Sequence, residues 1–468
     1  MQSARSLLAR LTQPVMLPVI TYLCAYIGTS VFGAAVLLTE FGQTQAKIFL
    51  PSFEPAEMLT FGSTLYLAVL LVPLVVVPAF AFIGLRAGDS AVRYLRQFKI
   101  ADPSTGMLYA LMVVFAGWCF YKVVATGFPI PELLFDRSKG CDARIVRRIE
   151  LFTQFRYVFY AFVYSALPLI STLFLVKAIR GRQTADFIGF GVSFVLIFYF
   201  YALTYMKSPF LVYLLTLLIG LLAAGVRWWK AVAIFSCLAA VVFVASYMIL
   251  DCTDYREVIA MEQQERQERQ ERQIAKGLPG IRGVRAPSEG TAFMPHSKIV
   301  ATTLPMVRSL TFRMAMAFPY YVEIFEDPAE RCGVEDNRIP FLPKQTCFPA
   351  SKIFSAMYPD ITYVQGQAPA AAHISALAEF GPWFSFLVMI GCGLAIGLAA
   401  QFARLCEPIL GAGMIAAAAV FAYNLTQVPF VGALTYGQGY VAFLLPVALI
   451  AGIPALSRAV LAPISRWL

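Results

Sequence analysis

Long apolar stretches recur along this sequence and are separated by short polar segments. Ten of them are long enough to cross a bilayer as a helix, which takes about 20 apolar residues. Because strands of a membrane barrel alternate apolar and polar side chains, these continuous runs predict helices. The predicted spans lie at residues 16–38, 61–85, 106–126, 151–176, 185–205, 209–226, 229–250, 376–402, 408–432 and 437–456.

Composition supports the same interpretation. Of the 468 residues, 59% are hydrophobic and 14% are charged, and the mean hydropathy is +0.70. A soluble protein carries about a quarter charged residues. This composition argues against a soluble enzyme, a disordered chain and a disulfide-stapled secreted module. We therefore expect an all-α polytopic membrane protein.

The charged residues between the spans predict an orientation. With the amino terminus in the cytoplasm, the inner segments hold fourteen basic and four acidic residues, and the difference of ten equals the formal net charge of the chain. This excess of basic residues on one side is the positive-inside pattern, and it predicts that both termini are cytoplasmic. The basic charge is then a signal of topology, and nucleic acid is not an expected partner. The basic residues are Arg5, Arg10, Arg86, Arg93, Arg96, Lys99, Lys177, Arg180, Arg182, Arg227, Lys230, Arg404, Arg458 and Arg466.

The spans divide the chain into three regions. Residues 1–250 form a seven-helix transmembrane region with a smaller outer loop at 127–150. Residues 251–375 form one large outer loop, which is too long for a simple connection and is expected to be functional. Residues 376–468 form a three-helix transmembrane region.

Within the large loop, residues 297–325 have an amphipathic pattern that predicts a helix, with Met314 and Phe318 on its apolar stripe. Further along the loop, Cys332 and Cys347 lie on the side predicted to be oxidising. The sequence is equally consistent with a disulfide between them and with two free thiols.

A few polar residues are candidates for chemistry. Charged side chains at spans are costly, so Lys122, Arg156 and Lys207 are candidates by default, although a lysine or arginine near a boundary can simply extend its charge to water. His373 stands where the loop meets the membrane, and an imidazole there could accept a proton from a hydroxyl nucleophile at neutral pH, as a general base does. Arg308 and Arg313 carry fixed charges suited to phosphate oxygens, unless they only pair with nearby carboxylates.

The sequence has no P-loop, dinucleotide glycine fingerprint, DxD-like pair or HExxH, and all of its predicted cytoplasmic loops are short. The nine cysteines include no CxxC pair. A group transfer would therefore use a donor on the outer side, where nucleotides are absent, and this points to a lipid-linked donor. No metal and no other cofactor is expected.

Three segments, together with the architecture, resemble the bacterial Wzy-type oligosaccharide repeat-unit (O-antigen) polymerases and the related O-antigen ligases. SLTFRMAMA at residues 309–317 is similar to the loop helix that presents an arginine in these families. AHISALAEFG at residues 372–381 is similar to the junction that runs from a histidine to Glu-x-Gly, although Ile374 follows His373 where the ligases have asparagine. KSP at residues 207–209 resembles a Gly-Ser-Arg segment, with lysine in place of arginine.

The resemblance implies a GT-C-like membrane glycosyltransferase of the bacterial inner membrane, with its active site facing the periplasm. It would polymerise oligosaccharide repeat units that are linked to undecaprenyl diphosphate into O-antigen or a related polysaccharide. Its expected partners are that lipid-linked oligosaccharide, the lipid bilayer and a chain-length regulator.

The resemblance and the residue chemistry together suggest a role for each candidate. Fixed cations would stabilise the charge that develops on the diphosphate leaving group, which makes a metal unnecessary. His373 is the first choice for the base and Glu323 the second, whereas Glu379 would orient a helix or His373. Arg313 is the principal catalytic cation, and the remaining substrate-binding candidates are Arg308, Arg156, Lys207, Tyr320 and Tyr321.

Two alternatives stay open at this point. An O-antigen ligase would transfer the finished glycan to a lipid A core, and short motifs do not separate it from a polymerase. A transporter of lipid-linked oligosaccharides is less favoured, because the spans carry few charges and the seven-plus-three arrangement lacks two equal halves.

Overall fold

A computed structural model describes residues 13–50, 59–95, 99–125, 156–204, 208–250, 298–333, 347–359, 367–435 and 439–464. Within these ranges the chain is helical and has no strand, apart from one isolated parallel bridge between Ile100 and Cys406. The helices of the first region are α1 (Pro14–Leu37), α2 (Glu40–Phe49), α3 (Thr64–Leu95), α4 (Thr105–Ala125), α5 (Tyr157–Gly181), α6 (Thr184–Thr204), α7 (Ser208–Ala223) and α8 (Trp228–Leu250).

The large loop and the last region supply seven further helices. The loop holds α9 (Lys298–Glu326) and α10 (Pro349–Met357), and α11 (Ala372–Phe380) leads from it into the membrane region. The remaining helices are α12 (Pro382–Phe402), α13 (Pro408–Asn424), α14 (Phe430–Thr435) and α15 (Tyr440–Ile464).

Among the described residues, seven segments are long and apolar enough to cross a membrane: α1, α3, α4, α5, α6, Pro382–Leu405 and Phe430–Gly452. Three shorter apolar helices, Ser208–Ala223, Trp228–Val242 and Pro408–Asn424, fall on the other predicted spans. The chain therefore has the structure of a polytopic helical membrane protein. Ten crossings with both termini inside stay a prediction.

Two of the differences between the helices and the predicted spans have a local cause. The prediction ended the second span at residue 85, whereas α3 continues to Leu95, where Asp89 and Arg93 form an ion pair one turn apart. The predicted span 376–402 is divided in two at Gly381, whose φ of 89° lies in a region that favours glycine. Apolar character continues through that break, so hydropathy alone does not locate it.

Helices α3 and α12 pack at very short range through glycines. Gly84 and Gly88 on α3 and Gly393 and Gly397 on α12 form two facing Gly-xxx-Gly pairs. A Cβ at Gly84 would lie 2.6 Å from the Leu394 carbonyl oxygen. Only hydrogen atoms fit at such positions, and this close backbone approach is a typical way for membrane helices to associate.

Helices α5, α6 and α7 are joined inside the bundle by hydroxyl groups. The Ser193 Oγ donates to the Ser171 Oγ at 2.9 Å, and the Ser171 Oγ lies 2.6 Å from the Tyr213 hydroxyl. All three side chains are buried. Hydrogen bonds of this kind hold helices together where lipid offers no hydrophobic gain.

At the predicted inner side, a set of reciprocal bonds that we call the Asp102 clamp ties the α4 entry to the start of α13. The Asp102 carboxylate accepts from the backbone N–H groups of Ile409 at 3.0 Å and Leu410 at 2.8 Å. The Glu407 carboxylate accepts from the Asp102 N–H at 2.9 Å. These are helix-capping bonds, supplied by a residue some 300 positions away in sequence.

Candidate active site

Helix α9 runs past the second half of α1 and the start of α3. Its Phe318 ring is 5.6 Å from the Tyr66 ring near the start of α3, in an edge-to-face arrangement, and 6.2 Å from the imidazole of His373. Helix α9 also packs against α1, α2 and α10. Met314 and Phe318, which the sequence placed on its apolar stripe, are both buried. The bundle therefore holds the carboxyl-terminal half of α9 firmly.

Arg313 is exposed on α9 between the buried side chains of Phe312 and Met314. Its charge acts on the phenol of Tyr423, at the end of α13. Buried neighbours on both sides fix the backbone, so the guanidinium leaves the helix at a defined place. A fixed and accessible guanidinium is suited to binding a phosphate oxygen pair.

Glu323 is exposed on α9 almost three turns beyond Arg313. The Thr60 Oγ1 donates to its carboxylate at 3.4 Å. Tyr320 is half-buried one turn away. Desolvation raises the pKa of its phenol, and the nearby charge of Glu323 raises it further. An accessible carboxylate beside a half-exposed aromatic ring can accept a proton from a hydroxyl group of a bound sugar.

His373 is only 2% exposed, at the start of α11. Its Nε2 lies 3.2 Å from the Val69 carbonyl oxygen and 3.3 Å from the Tyr26 hydroxyl. A carbonyl oxygen can only accept, so Nε2 carries the ring proton and donates it. Burial lowers the pKa of His373 to about 3, against a smaller opposing effect of the hydrogen bond to Val69. This placement does not favour the predicted general-base role, because a substrate hydroxyl has no access to the ring.

The surroundings of Tyr321 also do not fit its predicted role in binding a sugar. The side chain is 1% exposed, and its hydroxyl donates to the Ala368 carbonyl oxygen at 3.1 Å. The ring packs inside the loop region and offers no face for stacking on a sugar. Of the two predicted tyrosines, only Tyr320 is accessible.

The segment around Glu379 fastens the loop to the bundle. The N–H groups of Cys332 and Gly333 donate to the carbonyl oxygens of Ala378 and Glu379, at the carboxyl end of α11. Cys332 is bonded to Cys347 in a disulfide, which decides the alternative that the sequence left open. The Glu379 side chain is half-buried there. The role in orienting a helix stays a prediction.

Three predicted substrate-binding cations fall outside the described part of the structure. Lys207 lies outside the described residues, and the side chains of Arg156 and Arg308 lie outside the described part of their helices. Lys122 is described and is 4% exposed, so its side chain lies inside the bundle. This placement differs from the alternative that the sequence allows, in which the lysine extends its charge to the water boundary.

Two buried hydroxyl groups near this site were missed by the sequence analysis. The Ser30 Oγ and the Tyr66 hydroxyl have no hydrogen-bond partner among the described residues. Ser30 lies in a π-helical turn of α1, Ile27–Val31, which α9 contacts. Widened turns of this type occur often at functional sites. A serine within an apolar run gives no sequence signal for such a turn.

The described residues contain no group of three or more histidine, cysteine, aspartate or glutamate side chains that could hold a metal ion. The candidate site consists of an exposed arginine, an exposed glutamate and a half-exposed tyrosine on one helix, set against buried aromatic rings.

The fold and this site define a class: a polytopic helical membrane protein with a functional candidate site at the junction of its large loop and its bundle. Comparisons with protein-family models, with curated proteins and with solved structures find no match to this chain.

Proposed function

We propose that this protein is a periplasmic glycosyltransferase that polymerises oligosaccharide repeat units linked to undecaprenyl diphosphate. The observation that carries the proposal is the accessible Arg313 guanidinium, anchored between buried neighbours on a helix that packs against the second half of α1 and the start of α3. A lipid-linked diphosphate must sit at such a junction, because its lipid stays in the bilayer while its charge stays in water.

The disulfide between Cys332 and Cys347 supports the proposed side of the membrane. Disulfides persist in oxidising compartments such as the periplasm and are rare in the cytosol. The excess of basic residues on the opposite side of the predicted spans supports the same orientation. Both observations are independent of the family resemblance.

In the proposed reaction, a hydroxyl of the acceptor sugar attacks the anomeric carbon of the donor glycan. The new glycosidic bond forms while the bond from that carbon to the diphosphate oxygen breaks, and the diphosphate keeps the electron pair. Arg313 stabilises the negative charge that develops on this leaving group. Preorganised cations of this kind lower a barrier without a metal ion.

We propose that Glu323 accepts the proton of the attacking hydroxyl group, since His373 is buried against a backbone carbonyl. Ten residues of helix separate Arg313 from Glu323, about 15 Å along the axis. The diphosphate then lies toward one end of this stretch and the acceptor hydroxyl toward the other, with the transferred sugar beside Tyr320. His373 acts as a positioning residue that holds α11 against α1 and α3.

The test is an assay of the purified protein with a synthetic repeat unit on undecaprenyl diphosphate, with products separated on a gel. Wild-type protein should give a ladder of polymer. We expect Arg313→Ala to slow its formation by about 10²–10³, the usual loss for one transition-state donor. Glu323→Gln should also reduce the rate strongly, because the amide cannot accept the proton.

Matched controls separate these roles from general damage. Glu326→Gln changes another exposed carboxylate on α9, and Arg93→Ala removes an exposed cation from α3. Both variants should polymerise at nearly the wild-type rate. If glycan appears only on added lipid A core, the proposed activity would be that of a ligase and not of a polymerase. Absence of any product from several repeat units would contradict the proposal and favour transport.

A further inference from the structure

A cavity of about 250 Å³ lies at the end of the bundle that holds the Asp102 clamp, away from α9 and from the proposed active site. It opens where α5 ends and where α6 and α13 begin, so it lies at the predicted inner boundary between membrane and water. Its lining residues are Lys177, Arg180, Gly181, Gln183, Asp186 and Ile409.

Two cations in this cavity are held in place by backbone carbonyls. The Lys177 Nζ donates to the Pro103 carbonyl oxygen at 2.9 Å, and the Arg180 guanidinium donates to the Ala224 carbonyl oxygen at 2.7 Å. An ammonium group has three N–H donors and a guanidinium has five. Each side chain therefore keeps N–H donors beyond the bond that positions it.

The carboxylates at the cavity each accept hydrogen bonds from neighbouring groups. Asp186 is 1% exposed and accepts a hydrogen bond from the Thr105 hydroxyl at 2.8 Å, in the first turn of α6. The Asp102 carboxylate accepts from the N–H groups of Ile409 and Leu410. The start of α13 is thus already capped, and the cavity lining carries two side-chain cations against the one carboxylate of Asp186.

We propose that this cavity binds the phosphate of an anionic phospholipid headgroup from the inner leaflet. Its volume is below the usual range for whole small molecules but accommodates a headgroup whose acyl chains stay in the bilayer. Basic pockets between transmembrane helices on the cytoplasmic side recognise such headgroups. The inference stands independently of the proposed glycosyltransferase activity.

The test counts lipids retained by the purified protein, using native mass spectrometry after titration with phosphatidylglycerol or phosphatidylcholine. Wild-type protein should retain phosphatidylglycerol preferentially. In Lys177→Gln/Arg180→Gln, the affinity for phosphatidylglycerol should fall by about tenfold or more, because both side-chain cations that would contact the phosphate are gone. The affinity for phosphatidylcholine should not change.

The control is Arg93→Gln/Lys230→Gln, which removes two exposed cations from the same side of the protein but not from the cavity. It should retain phosphatidylglycerol within about twofold of wild type. Equal losses in the two double variants, or no loss in the cavity variant, would overturn the proposal. Displacement of the lipid by millimolar inorganic phosphate would also overturn it, in favour of a small soluble anion.

A second variant keeps the test decisive if the double substitution fails to fold. Asp186→Asn removes the negative charge from the cavity wall, and its side-chain oxygen can still accept from Thr105. We expect this variant to bind phosphatidylglycerol several-fold more tightly than wild type, since one unfavourable charge is gone. Unchanged or weaker binding would count against a phosphate in this cavity.

Discussion

The polar groups at the two ends of the bundle differ in how far they are paired in hydrogen bonds. At the clamp end, defined by Asp102, Glu407 and the start of α13, carboxylates cap backbone N–H groups at 2.8 to 3.2 Å. At the loop end, defined by α9 and the start of α11, Arg313 is exposed and the buried hydroxyls of Ser30 and Tyr66 lack partners among the described residues.

This difference indicates how the molecule divides its tasks. Satisfied polar groups stabilise a fold, whereas unpaired and exposed ones at a helix junction are typical of functional sites, which break local rules of stability. We interpret the clamp end as scaffold and the loop end as the place of reaction. Changes confined to one end of the bundle test that division, and the largest effect is expected at the disulfide.

Removing the disulfide should weaken the loop end. In Cys332→Ser/Cys347→Ser, we expect a loss of about 2–4 kcal/mol in the stability of the loop region, because the cross-link no longer restricts its unfolded state. Limited proteolysis should cut near α10 much faster, while α3 and α12 stay protected. Addition of a reductant to wild-type protein should have the same effect. Unchanged proteolysis would show that the disulfide does not hold this region.

Adding one methyl group to the contact of α3 and α12 should destabilise the scaffold. A Cβ at Gly393 would lie 2.5 Å from the Val77 carbonyl oxygen, so Gly393→Ala should cost about 1–3 kcal/mol through overpacking. Gly391→Ala is the matched control on the same helix, where a Cβ meets nothing within 4 Å. Thermal unfolding in detergent should separate the two variants. Equal melting temperatures would contradict the packing.

The buried His373 should make the folded protein sensitive to acid. Because burial lowers its pKa to about 3, the unfolded chain binds a proton below about pH 6.5 that the folded chain does not. The free energy of unfolding should then fall as the pH falls, by about 1 kcal/mol between pH 6.5 and 5.5 and by about 1.4 kcal/mol for the next unit. His373→Gln should flatten this part of the melting profile. Parallel profiles for the two proteins would show that the imidazole titrates normally.

The smallest expected effect concerns one carboxylate of the clamp. Asp102→Asn keeps an acceptor but loses its charge, so we expect a loss of about 1 kcal/mol in stability. Asp89→Asn is the control, since Asp89 pairs with Arg93 and Arg404 at the surface, where such pairs contribute little. A larger loss in the control would reverse the assignment of the clamp as scaffold. Neither change should alter the polymerisation rate per folded molecule.

Much of the fold could be predicted from the sequence, and the reason is physical. An apolar run long enough for a bilayer is a local signal, so each predicted span falls on an apolar helix. The amphipathic stripe through Met314 and Phe318 is a local signal too. Helix α9 (Lys298–Glu326) nearly coincides with the predicted range 297–325. Hydropathy cannot find the break at Gly381 or the π-helical turn at Ile27–Val31, because neither changes apolar character.

The candidate site was predictable only in part. Sequence identifies Arg313 and Glu323 as charged residues on one helix, but their exposure depends on which face of α9 the bundle covers. Whether His373 is accessible depends on Tyr26 and Val69, which are more than 300 residues away along the chain. The Asp102 clamp is missed for the same reason. Residue type suggests chemistry, and long-range packing decides whether a substrate can reach it.

The most direct test of the central claim measures binding of undecaprenyl diphosphate to the protein in nanodiscs of neutral lipid. Arg313→Gln removes the guanidinium at the loop end, whereas Arg93→Gln removes an exposed one at the other end. We predict that Arg313→Gln weakens binding by about tenfold or more, as expected for the loss of a hydrogen bond to a charged group. Arg93→Gln should bind within about twofold of wild type. Wild-type affinity in Arg313→Gln would contradict the account.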